Sequence, residues 1–183
     1  MNKRVEEWRR TVKGLFVGRF QPFHLGHLKA IEWILKRCEK VTIVIGSSLE
    51  SFTQRNPFTF EERKEMIAKS LEKEGITKEK YEIIWIPDAF NCERWVKSIL
   101  GKAEFDVVFT RSFWVKHCFD LSEIAVKEHP TFEPYSARKI RRMMKEEEGW
   151  ESLLPSGSNE AIRQIDIKKR LNGRTEGKAE NRS

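Results

Sequence analysis

The chain has 183 residues, enough for about one domain with a small addition. With 39% apolar residues, 12 Phe and 6 Trp it can fill a core, which excludes a disordered chain. A formal charge of +7 points to an anionic partner, and nucleotides or phosphates satisfy that as well as nucleic acid does.

No run approaches the ~20 apolar residues that span a bilayer, and the start MNKRVEEWRR lacks the apolar core of a signal peptide. The expectation is a cytoplasmic chain with no membrane partner. Cys38, Cys92 and Cys118 are odd in number and widely spaced, which fits neither a disulfide framework nor a zinc site. Reduced thiols are expected.

In chain order, residues 1–11 read as a charged lead-in. Leu15-Phe16-Val17, ending at Gly18, reads as a short buried strand, and Leu28, Ile31, Ile34, Leu35 and Cys38 then recur at helical spacing. Val41 to Ile45 is a second buried strand. Thr59 and Glu62 form a T-x-x-E capping box opening a helix whose stripe continues through Met66, Ile67 and Leu71. Tyr81 to Ile86 is a third strand, Glu93 to Leu100 a helix, and Phe105 to Phe109 a fourth strand. Beyond residue 110 the pattern weakens. Ser136 opens a helix through about Lys145, Asn159 to Leu171 reads as a final one, and 172–183 as a flexible tail. Near-continuous apolar strands alternating with helices indicate an α/β fold with a parallel sheet covered on both faces. The division expected is one domain at 12–171, with the sheet core at 12–134 and C-terminal helices at 135–171.

The turn Gly18-Arg19-Phe20-Gln21-Pro22-Phe23-His24-Leu25-Gly26-His27 follows the first strand, where open α/β sheets bind ligands. Gly18 and Gly26 allow backbone to approach a phosphate, and the following helix start presents free N–H groups and a positive dipole end. His24 and His27 can both donate to phosphate oxygens. The segment lacks the G-x-G-x-x-G fingerprint and the G-K-[ST] of a P-loop. A zinc pair would want a nearby Glu and a third ligand. Taken alone, H-x-x-H is read as a structural pair.

The whole segment GRFQPFHLGH resembles the signature of H-x-G-H nucleotidyltransferases, and specifically of archaeal-type nicotinamide-nucleotide adenylyltransferases. The resemblance spans roughly residues 14–155 and is most specific at this first motif. It implies a Rossmann-like open parallel sheet with helices on both faces and a small helical C-terminal part. It also implies ATP as a substrate bound by Gly18, Arg19, Phe20, Gln21, His24, Gly26 and His27. Ser47, in the loop after the second strand, is placed on the acceptor nucleotide, and Arg55 ahead of the capping box is placed on phosphate.

Asp88-Ala89-Phe90-Asn91-Cys92-Glu93-Arg94-Trp95 resembles the segment that holds the nicotinamide nucleotide, with Asp88, Asn91 and Trp95 as contacts. Trp95 would stack on the flat cationic ring. Asp88 and Trp95 keep the family spacing, whereas Asn91 sits one place early with Cys92 at the usual asparagine position. Tyr135 to Arg142 resembles the second ATP motif, S-x-T-x-x-R, which assigns Ser136, Arg138 and Arg141 to ATP. Ser136 is expected to cap its helix, and Arg141 to clamp the β- and γ-phosphates. Arg138 stands in place of threonine and Lys139 in place of glutamate. In Phe109 to Trp114, Arg111 and Ser112 replace the usual Gly-Asn on the adenine side.

The implied reaction is direct attack of the nicotinamide mononucleotide 5′-phosphate on the α-phosphorus of ATP, giving NAD and pyrophosphate. His24, His27, Arg19 and Arg141 would carry it by charge stabilisation. Mg²⁺ would bridge phosphates, held by substrate and water rather than by protein ligands. The resemblance also implies a homo-oligomer with no nucleic-acid partner. The departures keep two alternatives in view: a sibling transferase using CTP or another acceptor, and a nucleotide-binding regulator without catalysis.

Overall fold

In the computed structural model the described residues are 12–47, 49–87, 89, 91–120 and 122–172. The expected lead-in, and all but Asn172 of the expected tail, lie outside them. Five strands alternate with helices: β1 (Lys13–Gly18), α1 (Leu25–Leu35), β2 (Lys40–Ile45), α2 (Phe60–Lys73), β3 (Tyr81–Trp85), α3 (Cys92–Leu100), β4 (Val107–Phe109), α4 (Phe113–Phe119) and β5 (Ala125–Lys127). After β5 come α5 (Ala137–Glu146), α6 (Ser156–Ile162) and α7 (Ile167–Asn172), with a 3₁₀ turn at Trp150–Leu153 before α6.

The sheet has the order β3-β2-β1-β4-β5 and every pairing is parallel, from Val17↔Val44 to Phe16↔Phe109. Alternation along the strands sorts their side chains into two cores. Phe16, Ile43, Ile45 and Phe109 pack with Ile31 and Ile34 of α1, Met66 of α2 and Ile140 of α5. Leu15, Val44 and Val108 pack on the other face with Trp95 and Ile99 of α3 and Val115 and Phe119 of α4. The fold is therefore the expected Rossmann-like sheet with helices on both faces.

The capping box holds. Glu62 N–H donates to Thr59 Oγ1 at 3.2 Å, and Thr59 N–H donates to Glu62 Oε2 at 2.9 Å. Arg170 on α7 also donates to that carboxylate at 2.7 Å, tying the C-terminal part to the start of α2. α6 lies against α2 so closely that a Cβ on Gly157 would sit 2.3 Å from Ser70 N.

Three expectations are corrected. The final helix is two, α6 and α7, with residues 163–166 between them. α4 and β5 fill the weak stretch after residue 110. β5 is three mostly exposed residues held through its ladder to β4 rather than by an apolar run. Cys92 and Cys118 form a disulfide joining α3 to α4, with Cα atoms 4.7 Å apart. Two cysteines 26 positions apart carry no pairing signal; packing α3 beside α4 brings the thiols together. Cys38 stays a free thiol, its pKa pushed up to about 11 by burial. Among the described residues no helix is long and apolar enough to cross a membrane.

Candidate active site

The strand order reverses direction between β1 and β4, and ligands of open α/β sheets bind at such a switch point, outside the carboxyl ends of the strands. Two cavities open there. The larger, about 650 Å³, is lined by Gly18, Arg19, Gly46, Ser47, Arg55, Ala89, Trp95 and Trp114, among others. A second, about 290 Å³, is lined by His24, Gly26, His27, Arg111, His129 and Tyr135, among others. Val17, Gly18 and Ser112 line both, so the cavities meet at the end of β1.

The two histidines are stacked, with ring centroids 3.6 Å apart. The backbone N–H of His24 donates to His27 Nδ1 at 3.3 Å, leaving Nε2–H as the donor of neutral His27. His24 Nδ1 is buried with no hydrogen-bond partner among the described residues. Burial lowers its pKa to about 4, and burial, then the charges of His24 and His129, holds His27 well below its ordinary value. Both rings are therefore neutral at pH 7. Gly26 has no room for a side chain: a Cβ there would lie 2.9 Å from Tyr135 Cβ and 3.1 Å from the His24 ring.

Cations converge on the same turn. Arg141 donates to the carbonyl of Gln21 at 2.7 Å. Its guanidinium pKa is pushed down to about 10, by burial first and then by Arg19, Arg138 and Arg55. Four guanidinium groups brought from three separate segments repel one another, and a polyanion relieves that repulsion. Arg19 Nη1 also reaches Asn56 Oδ1 at 3.5 Å, which links the first turn to the loop carrying Arg55.

Several expected contacts have other duties. Gln21 is buried, and its amide donates to Phe58 O and accepts from Phe58 N, both at 2.9 Å, so it braces the turn from behind. Phe20 is also buried, with a φ of 51°, and its ring lies 4.9 Å from that of His27. Ser136 stands at the N-cap of α5 without a side-chain capping bond. Asn91 Oδ1 accepts from Arg94 N at 2.9 Å, which makes it the N-cap of α3. Asp88 lies outside the described residues. Trp95 lines the larger cavity yet is only 2% exposed, wedged against Trp114 with ring centroids 4.6 Å apart.

Sequence reasoning did not single out Trp114 or His129 as lining residues, nor Arg63 as a buried support. The segment Phe109 to Trp114, expected on the adenine side, serves both cavities. Arg111 faces the histidines, and Trp114 faces the Ser47 and Trp95 side. Among the described residues no cluster of three His, Cys, Asp or Glu side chains is placed to hold a metal ion.

The chain matches the model of the cytidylyltransferase-like family over residues 15–143. It is 42% identical over 159 residues to a nicotinamide-nucleotide adenylyltransferase of Thermococcus sibiricus, covering 84% of each chain. A nicotinamide-nucleotide adenylyltransferase of Ignicoccus hospitalis is 39% identical over 164 residues, covering 87% of this chain and 96% of the relative. Among solved structures, a bifunctional NMN adenylyltransferase/ADP ribose pyrophosphatase of Francisella tularensis, complexed with AMP and a manganese ion, matches with a TM-score of 0.74 and 25% identity. That match covers 88% of this chain and 52% of the bifunctional one.

Proposed function

The chain belongs to the cytidylyltransferase-like family, among its nicotinamide-nucleotide adenylyltransferases, and from that premise we propose that it joins ATP to nicotinamide mononucleotide, giving NAD and pyrophosphate. The observation that carries this reading is the meeting of two cavities at Gly18, one beside the histidine pair and one walled by indoles. Two substrates that must react end to end need such a junction.

A non-bridging oxygen of the mononucleotide 5′-phosphate attacks the α-phosphorus of ATP in line. The bond from the α-phosphorus to the bridging oxygen breaks, and pyrophosphate leaves with the electron pair. The attacking phosphate is already ionised at neutral pH, so the chain supplies position and charge rather than a base. His24 and His27 donate to the α- and β-phosphates, where negative charge accumulates in the transition state. Arg19, Arg55, Arg138 and Arg141 hold the triphosphate, and the fork of Arg141 suits bidentate grip on phosphate. Gly18 and Gly26 admit the phosphate chain, and Ser136 offers the first-turn N–H groups of α5. Mg²⁺ would accompany ATP as part of the substrate and would supply charge neutralisation on its phosphates.

The acceptor occupies the larger cavity, with Ser47 near its phosphate and Trp95 and Trp114 along its ring; a contact to Asp88 or Asn91 rests on the family resemblance alone. A homo-oligomeric, cytoplasmic enzyme belongs to the same reading and rests on the family resemblance. Purified protein given MgATP and nicotinamide mononucleotide is expected to yield NAD and pyrophosphate in equal amounts, measured by chromatography. Pyrophosphate release with other mononucleotide acceptors but no NAD would transfer the reading to a sibling transferase.

A further inference from the structure

Arg63, on the first turn of α2, is a fully buried arginine that lines neither cavity. Its guanidinium is spent on backbone carbonyls. Nη1 donates to Arg19 O at 2.9 Å and to Gly46 O at 2.7 Å, Nη2 to Ser47 O at 2.9 Å, and Nε to Thr59 O at 3.0 Å. Arg19 belongs to the turn after β1, which carries the ATP machinery. Gly46 and Ser47 belong to the loop after β2, which walls the acceptor cavity.

Both segments hold an uncommon backbone conformation at this point. Phe20, next to Arg19, has φ 51°, and Ser47 has φ 48°. A non-glycine residue in the left-handed region is strained and persists only where its surroundings over-determine it. Hydrogen bonds from one planar, rigid fork supply that determination for both segments at once. A lysine, with a single rotatable ammonium, cannot hold three carbonyls in one plane.

We propose that Arg63 is a positioning residue that sets the distance and orientation between the ATP turn and the acceptor loop. The proposal rests on the adenylyltransferase reading, because only a reaction between two bound substrates makes that distance matter. An in-line displacement tolerates little misplacement; an error of about 1 Å costs on the order of 100-fold in rate.

The test uses the full chain with Arg63→Lys and Arg63→Gln. NAD formation is measured with both substrates varied, and unfolding is followed by circular dichroism on the same samples. Both variants are expected to be folded at the assay temperature, with kcat lowered about 100-fold and both KM values raised at least about threefold. Arg63→Lys should keep more activity than Arg63→Gln. An arginine that serves only the fold would lower the active fraction, and so kcat, while leaving both KM values unchanged. That pattern overturns the proposal, as does activity that merely tracks the fraction unfolded, complete unfolding of both variants included. Wild-type kinetics in a folded variant overturns it equally. If the wild-type chain makes no NAD, the enzymatic reading fails on its own account. Titration calorimetry with MgATP then tests Arg63 separately: about tenfold weaker binding by Arg63→Lys is expected, and unchanged affinity overturns the proposal.

Discussion

Acid should destabilise this protein through His24, and the size of the effect follows from its burial. In the unfolded chain the imidazole has its ordinary pKa of 6.5, and in the folded protein the value is about 4. Between those values the unfolded state binds the proton and the folded state does not, so stability falls as pH falls. The contribution is fully present above pH 6.5 and is lost progressively towards pH 4. At 1.36 kcal/mol per pKa unit the loss attributable to His24 is about 2 kcal/mol at pH 5 and about 3 kcal/mol at pH 4. Other groups titrate over the same range, so the assay is a difference. Urea unfolding of the wild type and of His24→Gln is compared from pH 7.5 to 4. The stability of the wild type relative to the variant should drop by about those amounts, because groups remote from His24 cancel and the stacked His27 is kept neutral first by its own burial. A flat difference, or one that rises as the solution is acidified, would refute the assignment of a buried neutral imidazole.

On the proposed placement of Arg141 against the triphosphate, Arg141→Ala removes a charge-assisted donor, so ATP binding measured by calorimetry should weaken by roughly 10- to 100-fold, the equivalent of about 1.5–3 kcal/mol. Unchanged affinity would show that the triphosphate lies elsewhere. Gly157→Ala places a methyl group 2.3 Å from the backbone nitrogen of Ser70, so α6 must move off α2. A loss of about 1–3 kcal/mol in denaturant unfolding is expected, with activity kept at low temperature because this joint lines neither cavity. Alkylation of the denatured, unreduced chain should label one cysteine, Cys38, and after reduction all three; three labelled without reductant would contradict the Cys92–Cys118 bond.

Much of this molecule is local and was legible in the sequence. The strand-turn-helix at Gly18 to His27, the reciprocal bonds of Thr59 and Glu62, and the near-continuous apolar strands each depend on residues a few positions apart. Their spacing carries the physics. The reaction class came from the resemblance of the whole segment Gly18 to His27 to a family signature, since its H-x-x-H alone reads as a structural pair. Where the signal was short or polar it failed: β5 is three residues held by its neighbour, and the single helix expected at Asn159 to Leu171 breaks into two.

What depended on tertiary structure was the use to which those residues are put. Gln21, expected as an ATP contact, spends both amide atoms on Phe58, 37 positions away. Cys92 and Cys118 meet only because α3 and α4 share one face of the sheet. Arg63, which looks in the sequence like one more surface charge on an amphipathic helix, is buried against carbonyls 16 to 44 positions earlier. A hydrogen-bonding group declares its type in the sequence. Which of its partners remain once water is excluded is settled by packing, and packing joins segments whose separation along the chain carries no trace of their proximity.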